Sequence, residues 1–130
     1  MYHNAVPRRV TSVLVEEDAD SVTITWGLGD PVESEPVEYF GYGMYYYDPS
    51  GNGGKRFGVR FGERVSAWVF DNASSTNANY AADGVTVSPD TIVVRYRDAS
   101  LGLDEVGTIS AYAHIDGSDQ QVDLPVTLLR

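Results

Sequence analysis

Apolar residues recur along this chain with a period of two, in short runs, and nowhere keep a 3.6-residue period over a dozen positions. Alternation of this kind marks strands, whose successive side chains point to opposite faces. The pattern therefore predicts an all-β chain. Val10 to Val15 reads as a first strand, and Glu16-Glu17-Asp18-Ala19-Asp20 ends it. In Ser21 to Trp26, Val22, Ile24 and Trp26 share one face opposite Ser21, Thr23 and Thr25, as in a half-buried strand. Gly27 to Glu38 carries two glycines, two prolines and four acids, which predicts an irregular connection or a polar edge. Val65 to Phe70 is apolar on both faces, as expected of a strand covered on both sides, and Asp71 to Asn79 reads as a polar loop. Val85-Thr86-Val87 is a short strand, and Ser88-Pro89-Asp90 turns the chain into a strand over Thr91 to Arg97. Val106 to Ile115 follows, with Ile109, Ala111, Ala113 and Ile115 inward and Ser110, Tyr112 and His114 outward. Asp116 to Asp119 is a turn before a last strand, Val122 to Leu129.

The most informative segment is Tyr39 to Gly62, which reads as one β-hairpin closed by Asp48 to Lys55. Alternation puts Phe40, Tyr42, Met44 and Tyr46 on one face and Tyr39, Gly41, Gly43, Tyr45 and Tyr47 on the other. On the return strand Phe57, Val59 and Phe61 alternate with Arg56, Gly58, Arg60, Gly62 and, beyond them, Arg64. Matching core to core sets Tyr46 opposite Phe57, Met44 opposite Val59 and Tyr42 opposite Phe61. The outer face then pairs Tyr47 with Arg56, Tyr45 with Gly58 and Gly43 with Arg60, and brings Tyr39 near Arg64. Tyrosine and arginine are enriched at binding hot spots, and glycines between them would leave shallow grooves. In the plainer alternative, the rings cover glycines across the strand pair and the arginines stack on them.

About seven to nine short strands with turn signals between them and no long helix predict an antiparallel β-sandwich rather than a closed barrel. Residues 1–9 read as a flexible tail and residues 10–130 as a single sandwich domain. Asp20-Ser21-Val22-Thr23-Ile24-Thr25-Trp26 resembles the early strand of a fibronectin type III domain, and Ile109 to Ile115 followed by Asp116-Gly117 is similar to its penultimate strand and final turn. The resemblance covers about a third of the chain. It implies an immunoglobulin/fibronectin III-like fold in which Trp26 is core, and an interaction or spacer role.

Composition narrows the function classes. There is no cysteine, so neither disulfides nor thiolate metal sites contribute, and no compartment follows from cysteine usage. A net charge of −10 argues against sequence-independent nucleic-acid binding, which requires many phosphate-neutralising cations. Four of the nine cations, Lys55, Arg56, Arg60 and Arg64, nevertheless fall in the second half of the hairpin. No apolar run approaches the ~20 residues of a membrane span, and Met1 to Arg9 has no apolar export signal.

The sequence leads to a non-enzymatic interaction or structural module with no cofactor. Its binding residues are Tyr39, Tyr45, Tyr47, Arg56, Arg60 and Arg64, and its partner is a protein or a second copy of itself. A carbohydrate-binding module and a small carboxylate-based hydrolase are the alternatives, since tyrosine rings stack on sugars and paired carboxylates leave no local spacing. Asp48, Ser50 and Asn52, with Gly53, have the spacing of the first half of a calcium loop, but Val59 stands where the bidentate acid belongs. Asp116, Asp119 and Asp123 are a weaker acidic cluster, and His3 and His114 fit no triad or metal set.

Overall fold

The computed structural model describes residues 6–32, 38–50, 53–80, 82–99 and 108–129, and among these there is no α-helix. Eleven strands follow in order: β1 (Arg8–Glu17), β2 (Ser21–Pro31), β3 (Phe40–Tyr47), β4 (Gly54–Phe61), β5 (Val65–Asp71), β6 (Thr76–Tyr80), β7 (Val85–Val87), β8 (Thr91–Arg97), β9 (Thr108–Ile115), β10 (Ser118–Leu124) and β11 (Thr127–Leu129). A short 3₁₀ turn, Ala82–Gly84, precedes β7. The strands form two sheets of a β-sandwich, β11-β1-β2-β8-β7 and β10-β9-β3-β4-β5-β6. Every pairing is antiparallel except β1 with β11.

Several boundaries differ from the sequence expectation. β1 begins at Arg8, so the last two residues of the expected tail are in strand. β2 runs on through Gly27 and Gly29 to Pro31, because Leu28 is buried and the added residues pair with β1. Part of the expected loop at 71–79 is β6, a polar edge strand ordered by its ladder with β5. The last strand is broken at Pro125, which cannot donate to a ladder, into β10 and β11. His3 and Val106 lie outside the described residues.

Turn chemistry explains the tight connections. Asp18 closes β1 to β2 by accepting from the backbone N–H groups of Asp20 and Ser21, both at 2.8 Å, and these bonds hold its carboxyl below the usual range. Asp116 and Gly117 both have positive φ, 48° and 84°, the requirement of the two-residue hairpin turn that joins β9 to β10.

Between the sheets, Val22, Ile24 and Trp26 of β2 and Ile92, Val94 and Tyr96 of β8 meet Tyr42, Met44, Phe57, Val59 and Ala111 of the larger sheet. Burying each large apolar side chain contributes about 1.5–3 kcal/mol. Polar ends within this core are satisfied across the gap. Trp26 Nε1–H donates to the Gly43 carbonyl at 3.4 Å and the Tyr96 hydroxyl to the Gly58 carbonyl at 2.9 Å. The Gln121 side-chain amide accepts from Val10 N–H at 2.8 Å and donates to its carbonyl at 3.1 Å, closing one side of the sandwich from β10 to β1.

Candidate functional site

The hairpin sits in the middle of the larger sheet, with β9 against β3 and β5 against β4. Its inner residues are buried as alternation predicts, Phe40, Tyr42, Met44 and Tyr46 on one strand and Phe57, Val59 and Phe61 on the other. The register differs by two residues from the expected one. Met44 faces Phe57, Tyr42 faces Val59 and Phe40 faces Phe61. On the outer face Tyr45, not Tyr47, lies opposite Arg56, while Gly43 pairs with Gly58, Gly41 with Arg60 and Tyr47 with Gly54. A shift of two keeps every side chain on its predicted face, so the hydrophobic pattern cannot distinguish the two registers. The loop distinguishes them. Asp48 N–H donates to Gly53 O at 2.9 Å, which closes the turn two residues earlier and leaves Gly54 and Lys55 in β4.

Extending the register to the neighbours gives three rows across four strands, from β9 through β3 and β4 to β5. They are His114-Gly41-Arg60-Ser66, Tyr112-Gly43-Gly58-Trp68 and Ser110-Tyr45-Arg56-Phe70. The middle row explains the glycines. A Cβ at Gly43 would overlap the Tyr112 ring and one at Gly58 the Trp68 ring, while one at Gly41 would collide with the Val59 carbonyl oxygen of β4 and stand 2.7 Å from His114 Nε2. The expected grooves at these glycines are therefore filled by rings from the flanking strands. The sheet lacks side chains where Tyr112 and Trp68 lie down on it.

The outcome is a continuous aromatic surface. Ring centroids run Tyr39–His114 at 6.0 Å, His114–Tyr112 at 6.3 Å, Tyr112–Tyr45 at 6.4 Å and Tyr45–Tyr47 at 5.6 Å. The exposed Arg60 guanidinium stands 4.7 Å from the Tyr39 ring centre and 5.7 Å from that of Trp68, and the exposed Arg56 6.0 Å from that of Tyr112. Arg64 lies in the β4–β5 turn and lines, with Glu38, Tyr39, Arg60, Gly62 and Glu63, a depression of about 600 Å³. All six residues expected at the site are therefore on or beside this face. Comparison with known protein families, curated proteins and solved structures finds no match.

Tyr112, His114 and Trp68 belong to the face but not to the sequence-derived site. Their outward placement is legible from alternation, but their position beside the hairpin depends on sheet order. His114 is buried, and among the described residues its Nδ1 has no hydrogen-bond partner. Burial and the nearby Arg60 lower its pKa, with Asp119 opposing them. Burial raises the pKa of Tyr112, which Arg56 opposes.

The calcium-loop reading is not supported by the Asp48 geometry. One carboxylate oxygen accepts from the Ser50 hydroxyl at 2.6 Å and the other from Gly53 N–H at 3.2 Å, so the loop itself engages them, and Asn52 lies outside the described residues. Among the described residues no group of three or more His, Cys, Asp or Glu is placed to hold a metal ion.

Proposed function

We propose that this chain is an interaction module that docks a protein partner through the outer face of its larger sheet. The observation that carries the reading is the aromatic platform over Gly43 and Gly58, with the two exposed guanidinium groups of Arg56 and Arg60 standing on it. Strands about 4.8 Å apart and rows about 7 Å apart give the twelve-residue patch an area of about 200 Å². That is the scale of a hot-spot centre within a footprint of about 800 Å² per partner. Arginines on a chain of net charge −10 favour a partner surface bearing carboxylates, which a second copy of this acidic chain also offers.

The strand order supports an immunoglobulin-like reading of the fold. β1-β2-β8-β7 corresponds to strands A-B-E-D, and β10-β9-β3-β4-β5 to G-F-C-C′-C″, with β6 added at the edge. Trp26 on the second strand, packed at 6.4 Å on Tyr42, agrees with the fibronectin-type resemblance.

The test separates contact from folding. Tyr45→Ser with Tyr47→Ser is expected to cost about 1 kcal/mol or less of stability and to abolish association, whereas Tyr42→Ser is expected to cost about 3–5 kcal/mol. Sedimentation velocity from micromolar to millimolar concentration reads self-association. Photocrosslinking from position 47, followed by titration with the purified partner, reads the other case. Association that is unchanged in the double variant overturns the reading.

A further inference from the structure

We infer that the corner of this face between β3, β4, β9 and β10 is a binding site for a neutral pyranose, the terminal sugar of a glycan. The corner is a depression of about 320 Å³ lined by Tyr45, Arg56, Tyr112, Asp119, Val122 and Asp123. This volume lies at the lower end of small-molecule sites, about 300–1,000 Å³, and suits one sugar ring with its hydroxyls.

The fold brings these residues together by breaking the alternation of β10. Asp119 pairs with His114 and Gln121 with Ala113, so β10 gains one residue over β9; Leu124 pairs with Ala111, so it gains a second. Asp123 takes a left-handed φ of 55° within this stretch. Bulges of this kind re-aim side chains at sheet edges. Gln121 turns inward to Val10, and Asp119, Val122 and Asp123 all reach the outer corner. A regular strand would have sent Val122 to the face opposite the two acids.

The donor and acceptor chemistry selects the ligand class. The Tyr45 and Tyr112 hydroxyls, the Arg56 guanidinium and the Asp119 and Asp123 carboxylates belong to residues that line the depression, so donors and acceptors converge there. An anion would meet two carboxylates. A cation would meet Arg56, which already stands over the Tyr112 ring at 6.0 Å. An apolar ligand would desolvate five charged or hydroxyl-bearing side chains without replacing their water. A neutral polyhydroxylated ring meets none of these costs. Its hydroxyls donate to the two carboxylates and accept from Arg56, and its C–H face packs on the half-buried Tyr45 ring.

The site extends beyond the protein-docking reading and is tested apart from it. Amide NMR spectra of the protein are titrated with methyl glucoside, methyl galactoside and methyl mannoside, and with methylamine, acetate and glycine as charged controls. At least one glycoside is expected to shift the amides of residues 45, 56, 112, 119 and 123 with millimolar affinity. Asp119→Asn, Asp123→Asn and Tyr45→Ala are each expected to weaken it at least about tenfold, with Tyr45→Phe retaining it. Arg60→Ala, outside the depression, leaves the sugar shifts unchanged while weakening the protein contact. No glycoside response at this corner, a response to charged probes alone, or indifference to both aspartate variants overturns the inference.

Discussion

A methyl group at position 43 would occupy space held by the Tyr112 ring, so the smallest residues of the face determine where its largest ones lie. Gly43→Ala is expected to destabilise the fold by about 1–3 kcal/mol, the usual cost of overpacking. In a Tyr112→Ala background the same change is expected to be neutral or slightly stabilising, since alanine is less costly than glycine in a strand. Denaturant unfolding of the four proteins measures this coupling, and additive effects would show that the ring is not the reason for the glycine. His114 provides a pH test. Burial and Arg60 on β4 lower its pKa from 6.5, Asp119 on β10 opposes them, and the Tyr39 and Tyr112 rings flank it. Because the folded pKa lies below the unfolded one, the unfolded chain binds the proton more readily. The contribution of neutral His114 is complete above pH 6.5 and is lost as pH falls from there through the folded value. Unfolding free energy is expected to drop between about pH 7 and about pH 5.5, and His114→Gln is expected to flatten that drop. An equal slope in both proteins would assign the effect elsewhere. Alternation in the sequence makes Tyr112 and His114 legible as outward residues. It does not make them legible as neighbours of Gly43 and Gly41, because that contact spans about 70 residues and depends on β9 lying beside β3.

At the scale of elements, parity was readable and registry was not. Each strand of the hairpin shows its faces through Phe40, Tyr42 and Met44 or Phe57 and Val59, yet two pairings of the same parity bury the same residues. The choice belongs to the Asp48 loop, where one side chain gathers the Ser50 hydroxyl and the Gly53 N–H. Asp48→Ala is therefore expected to cost about 0.5–2 kcal/mol, as for loss of a side-chain cap, and to raise hydrogen exchange first at the loop end of β3 and β4. Retained protection at residues 46, 47 and 54 would show that the strands hold the register without the loop. β6 was illegible for a related reason. Thr76-Asn77-Ala78-Asn79-Tyr80 has little strand propensity of its own, and its order comes from the ladder to β5 and from Tyr80, whose ring meets Tyr96 at 5.4 Å. β2, by contrast, shows its character in Val22, Ile24 and Trp26, and its continuation past Gly27 follows from the pairing of Leu28 with Val10.

For the whole molecule, the all-β sandwich follows from short alternating runs and punctuating turns, whereas sheet membership follows from contacts no local window contains. Charge acts at this scale as well. The chain carries −10, and on the proposed docking face Arg56, Arg60 and Arg64 stand among Glu38, Glu63, Asp119 and Asp123; if the arginines meet a partner's carboxylates as proposed, salt is expected to act in opposite directions on the fold and on that docking. Raising sodium chloride from about 10 mM to about 500 mM shortens the screening length from about 30 Å to below about 5 Å. Mutual repulsion among the acids across the folded body then weakens, and the free energy of unfolding is expected to rise by about 1 kcal/mol. The same screening weakens the attraction of the arginine face for carboxylates, so association is expected to fall at least about tenfold over that range, mainly through a slower on-rate. Potassium chloride should act identically, since the effect is one of ionic strength rather than of ion exclusion. Stability and association that rise together with salt would mean that burial of the aromatic platform alone drives docking, and that the guanidinium groups of Arg56 and Arg60 serve the rings beneath them rather than a partner.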